Sequence, residues 1–260
     1  MSTAFDLVSL ELLTKTIGVN TLKIASGEIT NGPLIYEHGR TGLNTFVSTG
    51  MADLEEIYNA LIVLEAGLLG RVPPTKSLVL PKGNLLFENS ILRGKVTILQ
   101  CTSQYPTEKE YVNLRVLNGL KQKFGLPVGF SDHSLGNVAA IGAVAIGATV
   151  VEKHITLDRG LEGPDHKASS DPVEFARLVR EVRELEECLG TEQKKRELPE
   201  ADTAEVARKS LVASQPVLAG EKFSIRNLTV KRPGTGISPM EYWALLDQCS
   251  KKNYRKDEEI

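Results

Sequence analysis

Over the first 190 residues, short apolar runs alternate with longer stretches of helical spacing. Leu22 to Ser26, Thr45 to Ser48, Val96 to Cys101, Val128 to Phe130 and Thr149 to Glu152 read as five strands. Leu7-Val8, Leu10, Leu12-Leu13 and Ile17 recur on one helical face, with Asp6 as N-cap and Gly18 as the stop. Further helices are predicted from about Asp53 to Ala66, Val112 to Phe124, Asn137 to Ile146 and Pro172 to Leu189. Strands alternating with helices predict an α/β fold with a parallel sheet and right-handed crossovers.

The polar positions refine that picture. A buried parallel strand stays apolar until its turn, yet each of these ends in hydroxyls, glycine or charge. The ends are Ser26-Gly27-Glu28, Ser48-Thr49-Gly50, Thr102-Ser103, Ser131-Asp132-His133 and Glu152-Lys153-His154. Chemistry in α/β folds sits at C-terminal strand ends. Five polar ends around one rim fit a (β/α) barrel better than an open sheet.

Two segments break the rhythm. Gly67 to Gly94, with Pro73-Pro74, Pro81 and Gly83, reads as an elaborated surface insertion. Residues 191–202 are charged, carry Pro199 and read as an interdomain linker between a 1–190 barrel portion and a small, mostly β domain over 203–260. In that domain Ser210 to Ala213 and Leu228 to Val230 read as strands flanking a turn at Ala219-Gly220, and Trp243 is expected to pack its interior.

Composition narrows the function classes. An apolar fraction of 41%, a charged fraction of 25% and a net charge of −2 are ordinary for a soluble globular protein and favour neither nucleic acid nor an anionic membrane. The longest apolar run, Val138 to Val151, is too short to span a bilayer. No signal peptide is visible, and three scattered cysteines outside any CxxC spacing fit a reducing cytoplasm.

His133 and His154 each follow a strand, with one helix between, so adjacent barrel strands would set both imidazoles side by side. The pair could hold a divalent cation with open positions for substrate, or be two unrelated loop histidines. Lys23, within an apolar strand, could supply fixed charge for a phosphate or carboxylate, or a Schiff base. It could equally be an edge lysine reaching to water. Glu28 reads as a general acid or base, or as an exposed loop glutamate. Ser26, Ser48, Thr49, Ser103 and Ser131, with Gly27 and Gly50, resemble an anion-binding rim. Gly160 to Lys167 reads as a substrate loop or a plain turn.

Taken together, eight stretches resemble the N-acetylneuraminate (sialic acid) synthase family in that family's order. They are Ser2 to Asp6, Lys23 to Glu28, Ser48 to Ala52, Cys101 to Thr107, Gly129 to Gly136, Val151 to Asp158, Gly163 to Ser169 and Val230 to Gly236. The resemblance implies a (β/α)₈ TIM-type barrel followed by an antifreeze-like (SAF, β-clip) domain. It also implies a homodimer in which the small domain of one subunit covers the other's barrel. His133 and His154 would ligate Mn2+ or Mg2+. Thr3 and Lys23 would hold the phosphate of phosphoenolpyruvate, with Ser26, Ser103 and Ser131 around its carboxylate or phosphate. Tyr105 and Asp165 would contact an N-acetylated amino sugar, Arg232 would reach its N-acetyl group, and Glu28 would transfer a proton or position the sugar. The implied reaction condenses phosphoenolpyruvate with N-acetylmannosamine or a relative, giving a nonulosonic acid and phosphate.

Against the family pattern, the first strands are missing, neither the first strand's Glu-Ile-Gly-x-Asn-His type motif nor the second strand's lysine occurs, and the end falls short of the small domain's last elements. The chain is therefore expected to be N-terminally truncated and inactive alone. Rival readings are a legionaminic acid-type or spore-coat polysaccharide synthase, another phosphoenolpyruvate-using barrel, and a non-catalytic remnant.

Overall fold

Six strands form one parallel sheet in strict chain order in the structure, a computed structural model that describes residues 1–260. They are β1 (Ser2–Thr3), β2 (Thr21–Ile24), β3 (Asn44–Ser48), β4 (Val96–Gln100), β5 (Val128–Asp132) and β6 (Val151–Lys153). Five of these are the strands expected; β1 is additional, because two residues are too few to leave a period-2 pattern. The intervening helices are α1 (Leu7–Glu11), α2 (Gly32–Arg40), α3 (Leu54–Leu68), α4 (Val116–Phe124) and α5 (Val138–Ala145), and α6 (Pro172–Leu189) follows β6.

Local chemistry accounts for the helix ends. Asp6 caps α1, which widens into π-type turns over Leu12–Ile17 and stops at left-handed Gly18. Asp53 with Glu56, and Asp171 with Glu174, form reciprocal capping boxes at α3 and α6. Helix α2 was absent from the pattern reading. Its signal is Asn31, which accepts from the Leu34 amide, followed by Pro33 in the first turn.

Sheet residues alternate in direction. Ile24, Val47, Val96, Ile98, Val128 and Phe130 pack with Ile57, Leu61 and Leu64 of α3 and Leu117, Leu120 and Phe124 of α4 in one buried core. Each such side chain contributes roughly 1.5–3 kcal/mol when fully buried. The connection before β4 is largely exposed, as expected of a surface insertion, but its end joins this core through Phe87 and Leu92. It packs because Leu85, Leu86 and Phe87 donate backbone hydrogen bonds to the end of α4.

Lys23, Ser48, Cys101, Ser131 and Glu152 share the opposite parity. Were the sheet flat, β2 and β6 would lie about 19 Å apart, four strand spacings. Instead Lys23 Nζ lies 2.6 Å from Glu152 Oε1. The sheet is therefore strongly curled, and this face is its concave interior.

Residues Thr191–Ile260 form a second compact unit. The expected linker is only partly irregular, since its end starts helix α7 (Ala201–Ala207) after a turn at Leu198–Glu200. Strands β7 (Ser210–Ala213) and β8 (Leu228–Lys231) pair antiparallel around a core of Leu211, Ala213, Val217, Phe223 and Leu228. Trp243 does not pack this interior and is 73% exposed. Helix α8 (Tyr242–Leu245) turns Tyr242 and Leu245 to the core, and i,i+3 spacing leaves Trp243 on the outer side. No helix of the chain is long and apolar enough to cross a membrane.

Candidate functional site

The C-terminal ends of β2 to β6 converge on the concave face. Glu152 on β6 is the hub, accepting at Oε1 from Lys23 Nζ and from Ser131 Oγ, each at 2.6 Å. Burial pushes its carboxyl up, but the Lys23 and Ser131 hydrogen bonds and the ammonium charge outweigh burial and hold it below the ordinary carboxylate value. Glu152 is therefore ionised at neutral pH. The side chains of Lys23 and Glu152 are 18% and 26% exposed, so the pair can meet a ligand.

His133 and His154 stand edge to face with ring centroids 5.3 Å apart. His133 Nδ1 lies 2.7 Å from the Thr102 carbonyl oxygen. A carbonyl can only accept, so Nδ1 carries the proton. Burial lowers the pKa of His133 below its usual value, against the opposing pull of that hydrogen bond, and the ring is neutral at pH 7. Nε2 then holds a lone pair. It lies 3.3 Å from Ser131 Oγ, whose proton goes to Glu152, so the lone pair is uncommitted. His154 Nδ1 is 3.7 Å from Asp165 Oδ2.

This donor set fits a divalent cation in one respect: an imidazole oriented by a backbone carbonyl through one nitrogen presents the other. No group of three or more His, Cys, Asp or Glu side chains converges on such a position. The protein's share would be two nitrogens, leaving coordination positions for ligand oxygens.

Tyr105 covers the histidines, its ring 4.3 Å from His133 and 5.5 Å from His154. Burial raises its phenol pKa, so it stays a neutral donor. Ser26 and Ser103 hydroxyls meet at 3.4 Å across the ends of β2 and β4. Gly50, after β3, lies between them. A Cβ there would come 2.3 Å from Ser103 Oγ and 2.9 Å from Cys101 Sγ. Any larger residue there would force the Ser103 and Cys101 side chains to move. Cys101 is buried, and burial raises its thiol pKa, so it remains protonated.

Lys23, Ser131, His133, Tyr105, His154 and Asp165 are thus linked through direct neighbours, while Ser26 and Ser103 meet each other beside Gly50. Thr3 pairs in register with Lys23 at the sheet edge. Glu28 is held by Asn31 Nδ2 at 2.7 Å rather than by this cluster. Arg232 belongs to the second unit, where its Nε donates to the Ala207 carbonyl. Glu152 was not among the expected site residues. Its signal was a carboxylate in an otherwise apolar strand, one residue from Lys153. Ser48, noted only as a rim hydroxyl, has a buried Oγ without a partner, an acceptor and donor available to a ligand.

Comparison with known proteins bears on the whole arrangement. Residues 1–194 match the NeuB family. The chain is 41% identical over its full length to the N,N'-diacetyllegionaminic acid synthase of Campylobacter jejuni, covering 71% of that protein. It is 38% identical over 93% of its length to the synthase of the same name from Legionella pneumophila, covering 62% of it. Among solved structures, the N-acetylneuraminic acid (sialic acid) synthetase of Leptospira borgpetersenii superposes with a TM-score of 0.64 at 33% identity. That match covers 78% of this chain and 62% of the other. The chain thus spans 62% to 71% of the length of these relatives.

Proposed function

The chain belongs to the NeuB family, whose members similar to it are named sialic, legionaminic and pseudaminic acid synthases, and from that premise we propose that it condenses phosphoenolpyruvate with an N-acetylated amino sugar. Carbon-3 of phosphoenolpyruvate bonds to the sugar's aldehyde carbon, water adds at carbon-2, and the carbon–oxygen bond to phosphate breaks. The products are a nine-carbon nonulosonic acid and inorganic phosphate. Between N-acetylmannosamine and a bacillosamine-derived diacetamido sugar, the 41% identity to a diacetyllegionaminic acid synthase favours the second.

The observation that carries this reading is the convergence of Lys23, Ser131, His133 and His154 around Glu152. Lys23 supplies fixed positive charge and Ser26, Ser48, Ser103 and Ser131 supply hydroxyls, so an anionic phosphate ester finds donors already in place. Ionised Glu152 orients Lys23 and Ser131 and is suited to face positive charge developing at carbon-2. His133 Nε2 and His154 would hold Mn2+ or Mg2+, which when bound supplies Lewis-acid polarisation of a carbonyl oxygen. Tyr105 and Asp165 flank the histidines, where the sugar would lie. In the same reading the second unit is an antifreeze-like domain of a homodimer, with Arg232 directed to a partner's sugar.

The test incubates the chain with phosphoenolpyruvate, Mn2+ and each sugar in turn. Phosphate release is followed, and the acid is identified by mass spectrometry. Because the proposed site lies at the ends of β2 to β6, all present here, release of phosphate matched by a nine-carbon acid and abolished by His133→Ala is expected, against the sequence-based expectation that the chain is inactive alone. If no sugar yields such an acid and calorimetry detects no phosphoenolpyruvate binding, the reading fails.

A further inference from the structure

A second pair of charges lies behind the site. Asp132 and Lys153, 0% and 1% exposed at their side chains, meet at 2.8 Å between Oδ2 and Nζ. Lys153 Nζ also donates to the Ser134 carbonyl at 2.7 Å. Asp132 Oδ1 accepts from the Ser134 amide at 2.8 Å and hydroxyl at 2.7 Å. The pair is almost fully satisfied internally, and nothing in the proposed chemistry uses it.

Its place in the sheet gives it a task. Asp132 and Lys153 are directly opposed in the β5–β6 register, one step after Ser131 and Glu152 and one step before His133 and His154. Period-2 alternation sends the flanking pairs to the concave site and this pair to the helix side. There Lys153 borders a groove lined mainly by apolar residues such as Val151, Phe175 and Leu178, with Arg183 and Glu186 also on its wall. Strand β6 is only three residues long. So short a ladder specifies its register weakly.

We infer that the buried Asp132–Lys153 pair locks β6 in register, making both side chains positioning residues for Glu152, His133 and His154. A slip of one residue would turn Glu152 and His154 to the helices and Lys153 into the site. It would also leave Asp132 without its cation in a dry layer, which is strongly disfavoured. A slip of two would keep the parity but part the charges by about 6.6 Å. Only the observed register satisfies both charges, and it is the one that sets the two imidazoles side by side.

The inference relies on the proposed function only in taking the two histidines as working together, and its test does not use turnover. Being next in register, positions 133 and 154 are expected to have Cα atoms about 5 Å apart, within disulfide reach. The double variant His133→Cys/His154→Cys, with Cys188→Ser and Cys249→Ser, is oxidised, and the joined peptides are identified by mass. The 133–154 disulfide is expected to dominate. Adding Asp132→Leu and Lys153→Met, an apolar pair compatible with folding, should lower its yield at least fivefold while the protein still melts cooperatively. Asp132→Asn, which keeps the shape but not the charge, is the second variant. It should lower the yield severalfold and reduce Tm by roughly 10 °C. Undiminished 133–154 trapping in either folded variant would overturn the register role. Should the apolar pair not fold, Asp132→Asn decides. Absence of phosphate release from the chain that keeps both histidines, with trapping behaving as expected here, would count against the proposed function and leave the register role standing.

Discussion

Glu152 illustrates how a single residue's meaning depends on partners far away in sequence. On β6 it is a carboxylate in a short strand; opposite Lys23 and Ser131 it becomes the ionised hub of the site. Gly50 shows the same dependence without a functional group. Its missing side chain leaves room for Ser103 Oγ and Cys101 Sγ. Gly50→Ala would push a methyl against both and move the Ser103 hydroxyl. Phosphoenolpyruvate binding by calorimetry is expected to weaken about tenfold, the scale of one lost hydrogen bond to an anion. Unchanged affinity would remove Gly50 and Ser103 from the anion rim.

Helices α2 and α3 are joined by backbone rather than by long side chains. A Cβ at Gly39 would lie 2.3 Å from the Leu64 carbonyl oxygen, and one at Gly67 would lie 2.2 Å from that of Tyr36. Neither obstacle is a side chain that can turn away, so the two helices would have to separate. Gly39→Ala is expected to destabilise the chain by about 1–3 kcal/mol despite alanine's better helix propensity. Urea unfolding followed by circular dichroism measures this, and a stabilised variant would contradict the close crossing. The consequence extends beyond packing, because α2 and α3 flank β3, whose end carries Ser48 and Gly50.

At the scale of the molecule, one buried group links stability to pH. His38 on α2 is 0% exposed, and neither ring nitrogen has a partner. Burial lowers its pKa from an ordinary 6.5 to about 4. Because the folded value lies below the unfolded one, the neutral ring's contribution is complete above pH 6.5. It is lost as pH falls from 6.5 towards 4, where unfolding takes up a proton. The full effect is about 3 kcal/mol, of which about 2 kcal/mol is gone at pH 5. Urea midpoints at pH 7.5 and 5 should therefore diverge in the parent chain and much less in His38→Leu. Equal pH dependence in both would show that other groups govern the acid limb.

Alternating apolar and polar runs determined the α/β class, five of the six parallel strands, the Asp6-capped start of α1, the approximate spans of α3 and α6, and the strand ends bearing the site. Those features rest on local periodicity and on side chains bonding to backbone a few residues away, which a sequence displays directly. Strand β1 and helix α2 escaped because one is too short for a pattern and the other depends on an Asn31–Pro33 start. Trp243 was misjudged because one turn of helix can face either way until Tyr242 and Leu245 claim the core. That Lys23 meets Glu152 was decided by tertiary structure alone. The contact spans 129 residues and exists because the sheet curls until β2 faces β6. Curl comes from the packing of many side chains over the whole sheet, and no window of sequence contains it.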